Sequence, residues 1–322
     1  MHQRNSVPFR SHILTNIQKK SSFSISEVLY TYYSTRNTLT RIHQKSADLR
    51  HVVQTALERN RKKYDLQSKQ LKGTEKRDKY KVYGELINTY GYNLEPGSKE
   101  LTALNYYTNE EITIPLDPTQ TPGENAQRYF AKYNKQKRTF EALTELIQET
   151  ADDIQYLESI SNALDIALNE ADLAQIKEEL MQSGYIRRKH TKKKVKLTSK
   201  PMHYISSDGY DMYVGKNNLQ NEELTFSFAN GNDWWFHAKG APGSHVIVKS
   251  GGDELPDRTF EEAGRLAAYY SKNRGADKVE IDYIQKKHVK KPNGAKPGFV
   301  VYYTNYSLVI DSDISNIKNV QD

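Results

Sequence analysis

From Ser24 to Leu71 the chain contains no Pro and no Gly, and Ile25, Val28, Leu29, Tyr32, Leu39, Ile42, Leu49, Val53, Ala56 and Leu57 recur at helical spacing. Ser24-Ile25-Ser26-Glu27 opens this run as a capping box, in which the Ser hydroxyl accepts from the N3 amide and the Glu reaches back to the N-cap amide. Gly73 ends it. A second run starts at Thr121-Pro122-Gly123-Glu124, where Pro122 occupies the first helical position and its missing N–H costs nothing. Downstream, Phe140, Leu143, Ile147, Thr150, Ile154, Leu157, Ser161, Leu164 and Leu168 alternate by three and four. That is the seam of a coiled coil rather than the broad stripe of a globular helix. At ~1.5 Å per residue each helix would extend about 70 Å. Two helices of matched length joined by an insertion predict an antiparallel hairpin; a parallel dimeric coil is the competing arrangement.

The insertion, 74–120, reads as a small α+β tip: a helix from Glu75 to Tyr90, then strands Leu101 to Tyr107 and Ile112 to Leu116. A short helix from Leu173 to Gln182 stops at Gly184. From Lys200 the period falls to two. Strands are expected at Tyr204–Ile205, Asp211–Val214, Leu224–Phe228, Trp234–Ala238, His245–Lys249, Val279–Tyr283, Phe299–Thr304 and Tyr306–Ile310. One helix interrupts them behind a third capping box, Thr259-Phe260-Glu261-Glu262. The fold class is therefore α+β: a long antiparallel two-helix coiled coil with a small α+β tip domain, followed by a compact mixed α+β domain. The expected boundaries are a lead-in at 1–22, the hairpin at 23–185 with its tip at about 74–120, a linker at 186–199 and the sheet domain at 200–322.

Composition narrows the functional classes. With 36% hydrophobic and 27% charged residues in 322, one compact ball is a poor fit. No apolar run reaches the ~18 residues of a membrane span, and the first twenty residues lack the apolar stretch of a secretory signal. Zero Cys excludes disulfides, a thiol nucleophile and any Cys-bound metal. The net charge of +7 is concentrated in two patches. Residues 187–196 carry Arg187, Arg188, Lys189, Lys192, Lys193, Lys194 and Lys196; residues 286–296 carry Lys286, Lys287, Lys290, Lys291 and Lys296. Neither patch contains an acid, so together they give +12 and the remainder is −5. Such patches suit a polyanion such as RNA, and a solvated linker plus a solvated loop is the bland alternative.

The densest chemistry lies in Asn232-Asp233-Trp234-Trp235-Phe236-His237-Ala238-Lys239-Gly240-Ala241-Pro242-Gly243-Ser244-His245. Strand alternation sends Trp235, His237 and Lys239 to one face, a stacking ring beside an imidazole and an ammonium, as a platform for single-stranded RNA requires. A buried Trp beside a satisfied His is the competing arrangement. Ser244 and His245 follow in the Gly-rich turn. The loop Lys286-Lys287-His288-Val289-Lys290-Lys291-Pro292-Asn293-Gly294-Ala295-Lys296-Pro297-Gly298 is stiffened by Pro and suits phosphate contacts. There is no G-x-S-x-G elbow, no HExxH, no P-loop and no third metal ligand at recognisable spacing, so neither catalysis, a metal nor a cofactor is expected.

These residues resemble a known family. Ser206-Ser207-Asp208-Gly209-Tyr210, Val214-Gly215-Lys216-Asn217, Asn232 to Lys239, Pro242 to Val246, Ala267 to Ser271 and His288 to Gly298 look like the NFACT-R domain. Ser24 to Leu29, Tyr83-Gly84-Glu85-Leu86, Ile114 to Asp117 and Glu124 to Phe130 match the hairpin of the same proteins. The resemblance, from about residue 23 to the end, is to the bacterial RqcH proteins, also called fibronectin-binding protein A-like proteins, whose eukaryotic relative is NEMF. It implies ribosome-associated quality control: binding of a stalled large ribosomal subunit carrying peptidyl-tRNA, and recruitment of alanyl-tRNA for tailing without mRNA. The coiled-coil arm is implied to reach the stalk-base protein and rRNA, and the NFACT-R domain to bind RNA in the cytoplasm. The family's N-terminal domain, needed for tRNA handling, is expected to have no counterpart here. Family members are also described as anchorless surface proteins that bind fibronectin or fibrinogen, which makes adhesion after non-classical export the competing class.

Overall fold

The computed structural model describes residues 33, 36–37, 40–187 and 199–320. The capping box expected at Ser24–Glu27 lies outside them, as do Arg188, Lys189, Lys192, Lys193 and Lys194 of the basic linker. The chain divides into two compact units, 58–154 and the remainder. Helix α1 runs Ala47–Gly73, α2 Arg77–Tyr90, α3 Pro122–Ile166 and α4 Glu170–Gln182, with strands β1 (Glu100–Asn105) and β2 (Glu110–Pro115) between α2 and α3.

Within 58–154 the helices run antiparallel. Gln67 Oε1 accepts from buried Thr150 Oγ1 at 3.0 Å, and the Arg77 guanidinium lies 4.0 Å over the Phe140 ring. Gly84 is where α2 presses closest: a β-carbon there would sit 2.8 Å from the Phe130 ring. The capping box at α3 forms as the sequence predicts, with Glu124 Oε2 accepting from the Thr121 amide at 2.7 Å and Thr121 Oγ1 from the Glu124 amide at 3.3 Å. β1 and β2 form the expected antiparallel hairpin, and Leu86, Ile87, Leu101, Ile114 and Tyr129 bury themselves as its core.

In the other unit the helix pair is again antiparallel. Arg50 Nη2 donates to the Leu164 carbonyl at 2.6 Å, and Arg41 and Lys45 both reach Glu170. Leu157 and Leu164 of the predicted seam are buried, as is Ile160 outside it, whereas Leu168 lies beyond the end of α3 and is exposed. Asn169 caps α4 through a reciprocal bond with Asp172.

The C-terminal domain is a seven-stranded antiparallel sheet in the order β8-β7-β5-β6-β4-β3-β9, with β3 Met202–Ile205, β4 Asp211–Val214, β5 Trp234–Ala238, β6 Val246–Val248, β7 Val279–Gln285, β8 Tyr306–Ile310 and β9 Lys318–Asn319. Helix α5 (Asn218–Glu223) follows β4 and α6 (Asp257–Tyr269) follows β6. Three expectations are corrected. Leu224–Phe228 is a π-helical turn continuing α5, not a strand, and it lays Leu224 and Phe226 over the sheet. Phe299–Thr304 forms only a single bridge, Lys290 to Val301. Thr259 and Glu262 do not cap α6, which starts at Asp257. Thr259 instead donates to Asp208 at 2.8 Å and Glu262 accepts from the Ser207 amide at 2.7 Å, pinning the β3–β4 turn.

Each face of the sheet carries its own core. Phe236, Ala238, Met212, Val214, Val246 and Ile281 pack beneath Ala263, Leu266 and Ala267 of α6. On the opposite face Trp235, Ile247 and Ile284 pack beneath Leu224, Ala229 and Val289.

Candidate nucleic-acid interface

The two-sided burial decides the fate of the predicted platform. Trp235 is 0% exposed, a second core rather than an outward ring. Alternation along β5 is as the sequence predicts, but the second face is roofed by the π-helical turn and by Val289, which only tertiary packing could reveal. His237 stacks on Trp235 at 5.6 Å and meets His245 edge-on at 5.5 Å. His245 is buried and its Nδ1 shares a hydrogen with Thr225 Oγ1 at 2.7 Å. Ser244 is buried too, its amide donating to the Tyr270 carbonyl at 3.1 Å. Burial holds His237 down at about 4 and pushes His245 well below the ordinary imidazole value. Both rings are thus neutral scaffolding. Lys239 alone of that face is exposed, and it is paired with Glu280.

The basic loop fares better and divides in two. Lys291 is clamped by Glu222 at 2.7 Å, and the Lys296 ammonium lies 4.7 Å over the Tyr156 ring. Gly298 explains why this half is held down. Its φ is +77°, and a β-carbon there would stand 2.9 Å from Asn218 Oδ1, so the loop sits against the start of α5. The other half is presented. Lys286, Lys287 and His288 form one 3₁₀ turn at the end of β7, and Lys290 follows; Lys287, His288 and Lys290 are exposed. Lys286 lies half-buried, 5.9 Å from the Phe226 ring. In the linker, Arg187 is exposed.

Side chains with no local motif also gather here. His203 and Tyr213 stack at 4.5 Å with planes 4° apart, and Phe228 meets Tyr213 edge-on at 4.7 Å. The sequence gives no local sign of Phe228, because a π-helical turn and a strand share the same apolar run.

Behind the loop lies a buried polar layer between α4 and α5. Glu179 Oε1 accepts from Asn218 Nδ2 at 2.8 Å, and Asn218 also donates to Ser159 at 2.7 Å. Burial pushes the Glu179 carboxyl up to about 7 against the opposing bonds from Asn218 and Tyr156. A carboxyl raised from 4.5 in this way contributes stability that is whole below the unfolded value and is lost as pH rises through about 7. His237 acts oppositely: its contribution is whole above 6.5 and is lost as pH falls toward 4. Comparing Glu179→Gln with the parent at each pH cancels the histidine. The variant's thermal midpoint should gain on the parent's from about pH 5 to about pH 8, and a constant difference would refute a buried, protonated Glu179.

Comparison with known proteins places this architecture. A family model described as NFACT N-terminal and middle domains matches residues 3–199, and one described as NFACT protein RNA binding domain matches residues 200–303. Because the first match begins at residue 3, the expected lack of any N-terminal counterpart is not upheld. The chain is 40% identical over 299 residues to the Rqc2 homolog RqcH of Streptococcus pneumoniae D39, covering 92% of this chain and 54% of that protein. It is 38% identical over 301 residues to the Rqc2 homolog RqcH of Bacillus subtilis 168, covering 91% and 52%. The chain therefore spans about half the length of these relatives. Among solved structures, the C-terminal part of the fibronectin/fibrinogen-binding protein from Streptococcus suis superimposes with a TM-score of 0.68 at 37% identity, over 87% of this chain and 99% of that one. Among the described residues no helix is long and apolar enough to cross a membrane. Matched by consecutive models from residue 3 to residue 303, the chain belongs to the NFACT family.

Proposed function

We propose that this chain is the RNA- and large-ribosomal-subunit-binding part of a ribosome-associated quality control factor, acting in the cytoplasm. The observation that carries the reading is the exposed turn of Lys287, His288 and Lys290 with Lys286 behind it, in a domain matched by an RNA-binding family model. Four basic side chains within five residues give phosphate oxygens several partners on one short arc. In this reading the chain binds rather than catalyses. The antiparallel helices carry the second contact, docking on the stalk-base protein and rRNA. Alanine tailing and tRNA handling belong to the whole protein. The basic linker, from Arg187 through Lys194, adds charge that draws the chain to RNA.

Counterion release supplies the test. Log affinity for RNA, and for purified large subunits in co-sedimentation, should fall linearly with log salt. The double variant Lys287→Glu/Lys290→Glu should weaken binding by at least about tenfold and flatten the slope by about two, one for each lost phosphate contact. An unchanged slope would remove the loop from the interface. A second reading is favoured by the similarity to a fibronectin/fibrinogen-binding protein: adhesion at the cell surface. Fibronectin binding that survives high salt, with no RNA binding at low salt, would favour it.

A further inference from the structure

The side-chain row that contains Trp235 crosses five of the seven strands. Strand register sets Ile284 of β7 opposite Trp235 of β5, Trp235 opposite Ile247 of β6, Ile247 opposite Tyr213 of β4, and Tyr213 opposite His203 of β3. The π-helical turn roofs the Ile284–Trp235–Ile247 part. It stops at Phe228, so the row emerges as an aromatic strip partly open to solvent. His203 and Tyr213 are partly buried and Phe228 is 41% exposed.

The strip is held in place before any ligand arrives. Tyr213 is pinned between the parallel His203 ring and the edge-on Phe228 ring. Asp211 fixes His203 through its Nε2 at 2.6 Å. The Lys249 ammonium stands 4.8 Å over Phe228, anchored by Asp233 and by the Phe228 carbonyl at 3.3 Å. Rings fixed in this way lose little entropy when something flat is laid on them. The charge around the strip is graded. The Asp211 carboxylate borders one end and the Lys249 ammonium the other, and beyond Lys249 lie Lys286, 5.9 Å from the Phe226 ring two residues before Phe228, and the exposed Lys287. Lys287 donates its amide to the Gly231 carbonyl at 3.0 Å and Lys286 to the Asp233 carbonyl at 2.8 Å. The 3₁₀ turn is therefore stitched to the loop that follows Phe228.

We infer that His203, Tyr213 and Phe228 form a stacking surface for unpaired bases of single-stranded RNA, whose phosphates run toward Lys286 and Lys287. The inference rests on the RNA-binding reading of this domain and adds which groups hold the bases. Aromatic faces beside ammonium groups are the chemistry that single strands use, because every unpaired base has a π-face. A duplex hides those faces, so the strip selects single strands over double strands.

The test measures binding of the full chain to an unstructured oligouridylate and to duplex RNA of matching length, across salt. The parent should prefer the single strand. Phe228→Ala should weaken single-strand binding by about tenfold without changing the salt slope, since no phosphate contact is lost. Phe228→Trp should retain affinity. If the Ala variant melts early, Phe228→Leu decides instead, because it keeps the apolar volume and removes the π-face; affinity equal to the parent's overturns the inference. If the Phe228 variants bind like the parent while Lys287→Glu/Lys290→Glu does not, the strip is wrong and RNA binding by the loop stands. If the parent binds no RNA, both fail.

Discussion

Replacing Trp235 by Ala will cost the sheet domain about 3–5 kcal/mol and lower its thermal midpoint by more than about 10 °C. The indole is fully buried in the smaller of the domain's two cores, where it touches Tyr302 at 4.9 Å, His245 at 5.1 Å and His237 at 5.6 Å between ring centroids. Truncation removes the transfer energy of the largest side chain there and leaves a void between the sheet and its π-helical roof. Trp235→Phe should cost much less. The indole Nε1 has no hydrogen-bond partner, so losing the N–H forfeits nothing while most of the ring volume is kept. Circular dichroism melts of the two variants check this ordering. A Trp235→Ala midpoint close to the parent's would mean that the ring is not core.

That expectation reverses the sequence-based placement of Trp235, and the reason is physical. Period-two alternation in β5 reports which residues share a face but not whether each face meets solvent. Trp234 and Phe236 share the face under α6, as alternation predicts; what roofs the other face is contributed by residues five to ten positions before β5 and fifty or more after it. The antiparallel helices, by contrast, are legible because their seam is local and repeats: Leu157 and Leu164 are buried where a heptad puts them. The capping box at Thr121 is legible for the same reason, and the one at Thr259 misleads because its side chains serve the β3–β4 turn. In the basic loop, composition identifies the positive charge. Only the fold separates Lys287 and Lys290, which face solvent, from Lys291, which Glu222 holds.

The other large effect lies where α4 meets α5. Lys216 is almost fully buried, with its ammonium 3.2 Å from the Asp172 carboxylate, itself buried. Asp172 Oδ1 also accepts from Ser199, and Oδ2 from the amides of Leu168 at 2.9 Å and Asn169 at 3.3 Å. Around this pair Gln220 donates to Gln175 at 2.7 Å, as does Asn217 at 2.7 Å, so the layer is a connected network rather than a lone ion pair. Asp172→Ala strands a buried ammonium and removes half of the α4 capping box, and should cost about 3–5 kcal/mol for the charge plus about 1 kcal/mol for the cap. Lys216→Met should cost less, because the carboxylate keeps three donors. The double variant should then be more stable than Asp172→Ala alone, since no unpaired charge remains and a thioether fills the space. Denaturant melts of the four proteins give the coupling directly. Strict additivity would show that the ammonium reaches water and that this junction is not sealed, whereas rescue by Lys216→Met shows that α4 and α5 are joined through a dry polar layer whose cost is the desolvation of one ion pair.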